Sequence, residues 1–290
     1  MPFMLISIFV FIIGTIFGSF LNVCIHRLPR EESIVWPGSK CPACGKLIAW
    51  YDNIPVFSFL VLGGRCRSCK IKISSRYWII EILTGCAYLW IWFYFGLTLV
   101  ALAAAILFSL LLVAAVVDLE HQIIPDEVSL GGLAVGFLLS ALIPALHREV
   151  IWWRSLIDSG IGLVAGGGII YLTGTIGNLW LFWVRHLGVQ MRRNLYWRKK
   201  LSRYRHMKDS MGGGDVKLLA MLGAFLGWQK VLLVFFLGPV LALPLGLFLK
   251  FIRKKEVIPF GPFLSLAGWF VFLWGNQIIN WYLSGIGFID

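Results

Sequence analysis

Charge is what this sequence has least of. Asp, Glu, Lys and Arg together make up 14% of its 290 residues, where soluble domains carry about 25%, and 59% of the chain is hydrophobic. A soluble core cannot absorb that much apolar surface, so a water-soluble domain is excluded and the bilayer is the natural solvent. Acids are the scarcer sign, 14 against 26 Lys and Arg. The resulting charge of +12 does not indicate nucleic-acid binding, because the basic residues collect between the apolar runs, as they do in cytosolic loops of membrane proteins. The apolar start, 3–24, lacks a basic leading segment and a clear small-residue cleavage site, so it is expected to be a retained first span. Glu120-His121 lacks a second histidine at helical spacing, which excludes a zinc-protease helix.

What is present is a series of eight apolar stretches, at 3–25, 78–95, 99–117, 128–146, 156–184, 216–228, 231–251 and 262–283. Nine Lys/Arg fall in 27–76, nine in 185–208 and four in 250–255. If all eight stretches cross, these loops share one side, which the positive-inside tendency makes cytosolic, and both termini face out. Only Arg148, Arg154 and Lys230 remain for the other side. The stretch 216–228 is short, about 20 Å of helix, but without it the Arg253-Lys254-Lys255 cluster would land outside. The expected fold is an all-α polytopic membrane protein of about eight transmembrane helices with a cytosolic four-cysteine zinc-ribbon-like loop domain. Its parts are a first helix at 1–26, the cysteine domain at 27–77 and a membrane core at 78–290 with a basic cytosolic loop at 185–211.

Cys41-Pro-Ala-Cys44 and Cys66-Arg-Ser-Cys69 are two Cys-x-x-Cys knuckles separated by 21 residues. Four thiolates suit tetrahedral zinc and close its coordination, so the site is read as structural. Two disulfides are the competing reading, but a basic loop belongs to the reducing cytosol. The other cysteines, Cys24 and Cys86, lie within spans and read as small buried side chains.

Asp118 follows the run 99–117, and Asp215 precedes the run that starts at Val216. With the spans ordered as above, the third ends inside at Asp118 and the sixth begins inside at Asp215. Both carboxylates then stand at the cytosolic edge, where they can meet. Two acids in close approach share a proton and titrate as a pair, the arrangement used by aspartic proteases. The plain alternative is that each is an interfacial residue at a span end, Asp215 being favoured there by the helix dipole. Met211-Gly212-Gly213-Gly214-Asp215 adds three glycines before the second acid, which permit close backbone approach by an extended substrate. Lys217 pairs with either an acid or lipid phosphate. Asp126, after Pro125, is placed to cap the fourth span and is read as structural.

These features resemble one family, the bacterial type IV prepilin peptidases, or leader peptidase/N-methyltransferases, which are membrane aspartyl proteases of the Gly-x-Gly-Asp kind. The resemblance runs through Gly18-Ser-Phe-Leu-Asn-Val-Cys-Ile-His-Arg-Leu-Pro29, both knuckles with Asp52-Asn53-Ile54-Pro55 between them, Arg76-Tyr77 and Glu81. It continues through Asp118 with Ile124-Pro125-Asp126, Gly212 to Asp215 with Val216-Lys217-Leu218-Leu219-Ala220, and Ile258-Pro259-Phe260-Gly261-Pro262. It implies a multi-pass protein of the bacterial inner membrane that removes a short basic leader from type IV prepilins and type II secretion pseudopilins at the cytosolic face. Asp118 and Asp215 would be catalytic, and the new N-terminus would be methylated from S-adenosylmethionine. The sequence holds no Rossmann-type glycine fingerprint for that donor. Trp78 stands where the family often has proline, Asp209 where it has glutamate, and the basic loop is longer than usual. A proton-coupled transporter and a secretion scaffold are the other readings. No internal repeat supports the transporter, and a scaffold would leave a precursor's N-terminus unaltered.

Overall fold

The structure, a computed structural model, describes residues 2–190, 212–253 and 259–285. Most of the basic loop 185–211, with Asp209 and Met211, therefore lies outside the described residues, as do Lys254, Lys255 and Ile258. Every apolar stretch forms an α-helix. The helices are α1 Pro2–Arg27, a short α2 Phe57–Val61, α3 Arg76–Phe95, α4 Leu99–His121, α5 Asp126–Leu142, α6 Trp152–Gln190, α7 Gly213–Leu226, α8 Trp228–Arg253 and α9 Gly261–Gly285. Strand pairing among the described residues is limited to two isolated bridges.

Five of these helices, α1, α3, α4, α6 and α9, are long and apolar enough to cross a membrane. That is fewer than the eight crossings expected, and for α5 and α7 helix length is the reason. The 17 residues of α5 and 14 of α7 fall short of the roughly 20 that span hydrocarbon. α8 runs for 26 residues with Pro239 and Pro244 inside it, and each proline leaves one hydrogen bond of the helix ladder unmade. The boundaries have local causes. α5 stops at Leu142, short of the expected 146, because Ile143 precedes a proline and 144–147 turn into a 3-10 helix. Gly227, at φ +81°, ends α7, so Trp228 opens α8 instead of closing the helix before it. Cys24 is buried as expected, whereas Cys86 is exposed.

The chain divides into two compact units, Met1–Val128 and Ser129–Asp290. In the first, α1 packs on α3 at backbone distance. A Cβ at Gly14 would lie 2.8 Å from the Gly85 Cα, and one at Gly18 2.7 Å from the Glu81 Cα. In the second, α7 is the centre, with every residue from Leu218 to Leu226 buried. The small-residue stripe of α6 seats it: a Cβ at Gly162 would lie 2.3 Å from the Gly223 carbonyl oxygen, and one at Gly166 2.4 Å from that of Leu219. These glycines therefore serve packing within the chain. At the end of α7 remote from Asp215, His147 Nδ1 stands 2.9 Å from Asp158 Oδ2, and the Ser159 hydroxyl donates to the Ala224 carbonyl at 2.8 Å.

Candidate active site and four-cysteine centre

The two knuckles share one backbone frame, offset by 25 residues. The Cys41 N–H donates to the Lys46 carbonyl and the Ile48 N–H to that of Ser39; the Cys66 N–H donates to the Ile71 carbonyl and the Ile73 N–H to that of Gly64. Each turn closes through a left-handed residue just after its second cysteine, Gly45 at φ +69° and Lys70 at φ +59°. The frame aims all four Sγ atoms inward, within 4.8 Å of one another, and Cys41 and Cys69 are 3.8 Å apart. Four sulfurs at about 2.3 Å around a tetrahedral zinc are about 3.8 Å apart, so the donor set fits that ion. The N–H groups of Cys44 and Ala43 draw the Cys41 thiol down to about 6, and those of Cys69 and Ser68 lower Cys66. Thiols held in this way lose their protons readily to a metal.

The loop carrying this centre is fastened to the helices by polar contacts. Arg67 makes a two-pronged ion pair with Asp52 at 2.7–3.0 Å, tying the second knuckle to the segment between the knuckles, and holds that carboxyl below its ordinary range. The Val56 N–H donates to the Glu81 carboxylate of α3 at 2.7 Å, and the Asn22 amide of α1 donates to the Tyr77 carbonyl at 2.9 Å. Arg27 directs its guanidinium onto the carbonyls of Ser33, Pro37 and Gly38. Arg76, which opens α3, pairs with Glu120 in the last turn of α4. Neither Asn22 nor Glu81 has a role that spacing or residue type in the sequence makes evident. Polar side chains at the ends of apolar spans, close to a polar loop, were the available signal.

Asp118 is buried in the last turns of α4, where its carbonyl accepts the N–H of Gln122 as the chain turns left-handed at φ +57°. Two residues on, Glu120 is tied to α3, so the end of this helix is held from both sides. Asp215 is the third residue of α7. Its N–H donates to the Gly212 carbonyl at 3.2 Å, and its Oδ2 lies 3.2 Å from the place a Cβ on Gly212 would occupy. The glycine run thus lets the carboxylate fold back over the first turn of its own helix, where the N-terminal dipole favours negative charge. Gly213 has open space around its Cβ direction, and Gly214 is half-buried. Asp118 and Asp215 belong to different units. Asp126 is exposed in the first turn of α5, beside Glu127.

S-adenosylmethionine would need polar partners for its ribose, carboxylate and ammonium groups. A recess of about 800 Å³ in the first unit is large enough, but among the described residues no carboxylate lines it, and its one cationic side chain, Arg27, is committed to three backbone carbonyls. The recess does not fit the donor.

Residues 12–95 match the bacterial peptidase A24 N-terminal domain, and residues 105–247 match the type IV leader peptidase family. A prepilin leader peptidase/N-methyltransferase of Pseudomonas aeruginosa is 35% identical over 303 residues, covering 96% of this chain and 93% of its own. One from Aeromonas hydrophila is 35% identical, covering 95% and 93%, and one from Legionella pneumophila is 31% identical, covering 92% and 91%. No solved structure matches the chain. With identity above 30% along nearly its whole length, the chain belongs to the type IV leader peptidase family.

Proposed function

We propose that this protein cleaves the basic leader from type IV prepilins and type II secretion pseudopilins at the cytosolic face of the bacterial inner membrane, with Asp118 and Asp215 as the catalytic pair, and then N-methylates the new N-terminal residue. The observation that carries this reading is the near full-length likeness to prepilin leader peptidase/N-methyltransferases. The placement of one acid at the end of α4 and the other at the start of α7 agrees with it.

In the proposed arrangement α1, α3, α4, α6 and α9 cross the membrane, α5, α7 and α8 cross or enter it, and 27–77 and 185–211 face the cytosol. α7 then runs inward from the face where α4 ends, which sets the two carboxylates at one depth. One carboxylate takes a proton from water as the water oxygen bonds to the peptide carbonyl carbon. The other, protonated, hydrogen-bonds and protonates the carbonyl oxygen. The tetrahedral intermediate collapses as the amide nitrogen receives a proton and the C–N bond breaks, leaving a carboxyl on the leader and an amine on the pilin. The glycine run leaves room for an extended backbone beside Asp215. Zinc, held by Cys41, Cys44, Cys66 and Cys69, would organise the cytosolic loop and take no part in this step. S-adenosylmethionine would supply the methyl group. Co-expression with a prepilin, followed by reading the pilin's N-terminus, tests the reading: a shortened, methylated terminus is expected, and an unchanged one refutes it.

A further inference from the structure

Lys230, in the first turn of α8, is the only buried lysine among the described residues, 9% exposed. Its stem lies along α9, with Cγ and Cδ 3.4 Å from the place a Cβ on Gly275 would occupy. Its ammonium makes no hydrogen bond or ion pair among the described residues. An ammonium taken out of water without a partner is costly, so the position calls for a counter-charge. Two charges act on it, Arg148 by repulsion and Asp158 by attraction; Glu149, next to Arg148 on the loop before α6, is not among them. Asp158 is already engaged. His147, whose side chain is wholly buried, places Nδ1 2.9 Å from Asp158 Oδ2, and the same oxygen sits so close to Gly227 that no Cβ would fit there. Arg148 donates Nε and Nη2 to the Asn276 amide oxygen of α9 at 3.1 and 3.3 Å, and its Nη1 makes no hydrogen bond among the described residues. Lys230 and Arg148 thus meet α9 at successive residues, 275 and 276, and the three charges Lys230, Arg148 and Asp158 leave one positive charge over.

The surroundings say which anion is at hand. Trp152 and Trp153 open α6 and Trp228 opens α8, all three exposed, and the Arg154 guanidinium lies 5.4 Å over the Trp153 ring. Exposed tryptophans at the ends of apolar helices mark the headgroup level of a bilayer. The anion of that level is the phosphodiester of a phospholipid, whose single charge equals the charge left over. Arg148 is exposed, so the cluster opens to that level, and a guanidinium beside an ammonium is a recurrent phosphate-binding pair.

We propose that Lys230 and Arg148 form a binding site for a phosphate group, supplied by an anionic phospholipid in the leaflet at the end of α7 remote from Asp215. Asn276 holds the guanidinium toward the site, and the bound headgroup joins α8 and α9 to the loop between α5 and α6. The site is independent of the two aspartates and of the peptidase reading.

The test titrates the purified full chain in detergent with phosphatidylglycerol and with diacylglycerol of the same acyl chains, counting bound lipid by native mass spectrometry. Phosphatidylglycerol is expected to bind the more tightly. Lys230→Met and Arg148→Gln should each weaken it about fivefold or more and leave diacylglycerol unchanged, whereas Arg154→Gln, at an exposed cation of the same end, should change little. Thermal unfolding checks that each variant is folded, and the exposed position of Arg148 keeps the test decisive should Lys230→Met fail to fold. Phosphatidylglycerol binding that is no tighter than that of diacylglycerol, or that survives Arg148→Gln unchanged, would overturn the proposal, as would an equal loss in Arg154→Gln. A second arm adds inorganic phosphate: if it raises Tm through Lys230 and Arg148 while phosphatidylglycerol does not bind there, the phosphate site stands and the lipid as its source is refuted.

Discussion

Gly166 and Gly168 lie two residues apart on α6, yet alanine should act in opposite directions at the two sites. A methyl at Gly166 would meet the Leu219 carbonyl oxygen at 2.4 Å and its carbon at 3.0 Å, both backbone atoms of α7. Ordinary contact is about 3.5 Å, so the two helices must part by about 1 Å, and no side-chain rotation relieves the clash. Overpacking of this kind costs about 1–3 kcal/mol, or a Tm lower by about 2–12 °C for a unit of this size. Among the described residues Gly168 has nothing within 4 Å of its Cβ position. Alanine there removes a flexible residue from a helix and should leave Tm level or raise it, by about 0.4–1 kcal/mol. Because Leu219 is one turn from Asp215, Gly166→Ala should also reduce kcat for prepilin cleavage. The assay is thermal unfolding of each purified variant in the same detergent, paired with cleavage rates at a temperature where all are folded. Equal Tm values for the two variants would refute the packing argument.

Three further outcomes are expected. Asp118→Asn and Asp215→Asn should each abolish cleavage, with the double variant hardly worse than either single one, whereas Asp126→Asn should keep its chemistry; appreciable turnover by a folded Asp118→Asn or Asp215→Asn protein would break the pair. A Cys41→Ser/Cys44→Ser protein should carry less zinc than the parent by elemental analysis, and unchanged zinc would mean the metal lies elsewhere. Cysteine labelling from outside sealed cells, in a background without the native cysteines, should mark position 148 and spare position 46; the reverse pattern would invert the proposed orientation.

The parts most legible in the sequence were those governed by composition and short-range spacing. Every apolar stretch became a helix, because twenty or so consecutive apolar residues have few other ways to satisfy their backbone. The knuckles converge because each Cys-x-x-Cys closes its own turn, and the 25-residue offset repeats the same frame. Less legible was whatever depends on which faces meet. The sequence contained the glycines of α6, but not that Gly162 lies against Gly223 while Gly168 lies against nothing. Nor did it indicate that Val35 and Phe57 line one recess with Ile12, Ile16 and Phe20 of α1. Apolarity had suggested a crossing for 128–146 and 216–228, but α5 is cut short before Pro144 and α7 before Gly227, because backbone geometry, not hydropathy, sets where a helix stops.

The close seating of α1 on α3, where Gly14 meets Gly85 and Gly18 meets Glu81, also affects the metal centre beyond those helices. The segment between Arg27 and Arg76 leaves one helix of this pair and returns at the other, so its ends are already held together before any ion binds. Closing a free loop of about 49 residues costs about 3.5 kcal/mol in chain entropy, apart from a constant. In the intact protein that cost falls on the helix pair and not on any ion that the four thiols bind. A peptide comprising only the loop would have to meet it from metal binding, and its zinc affinity should be weaker by about two to three orders of magnitude. The α1–α3 pair thus acts as a clasp for the four-cysteine loop, and a substitution at Gly18 should be felt as weaker zinc binding by the loop.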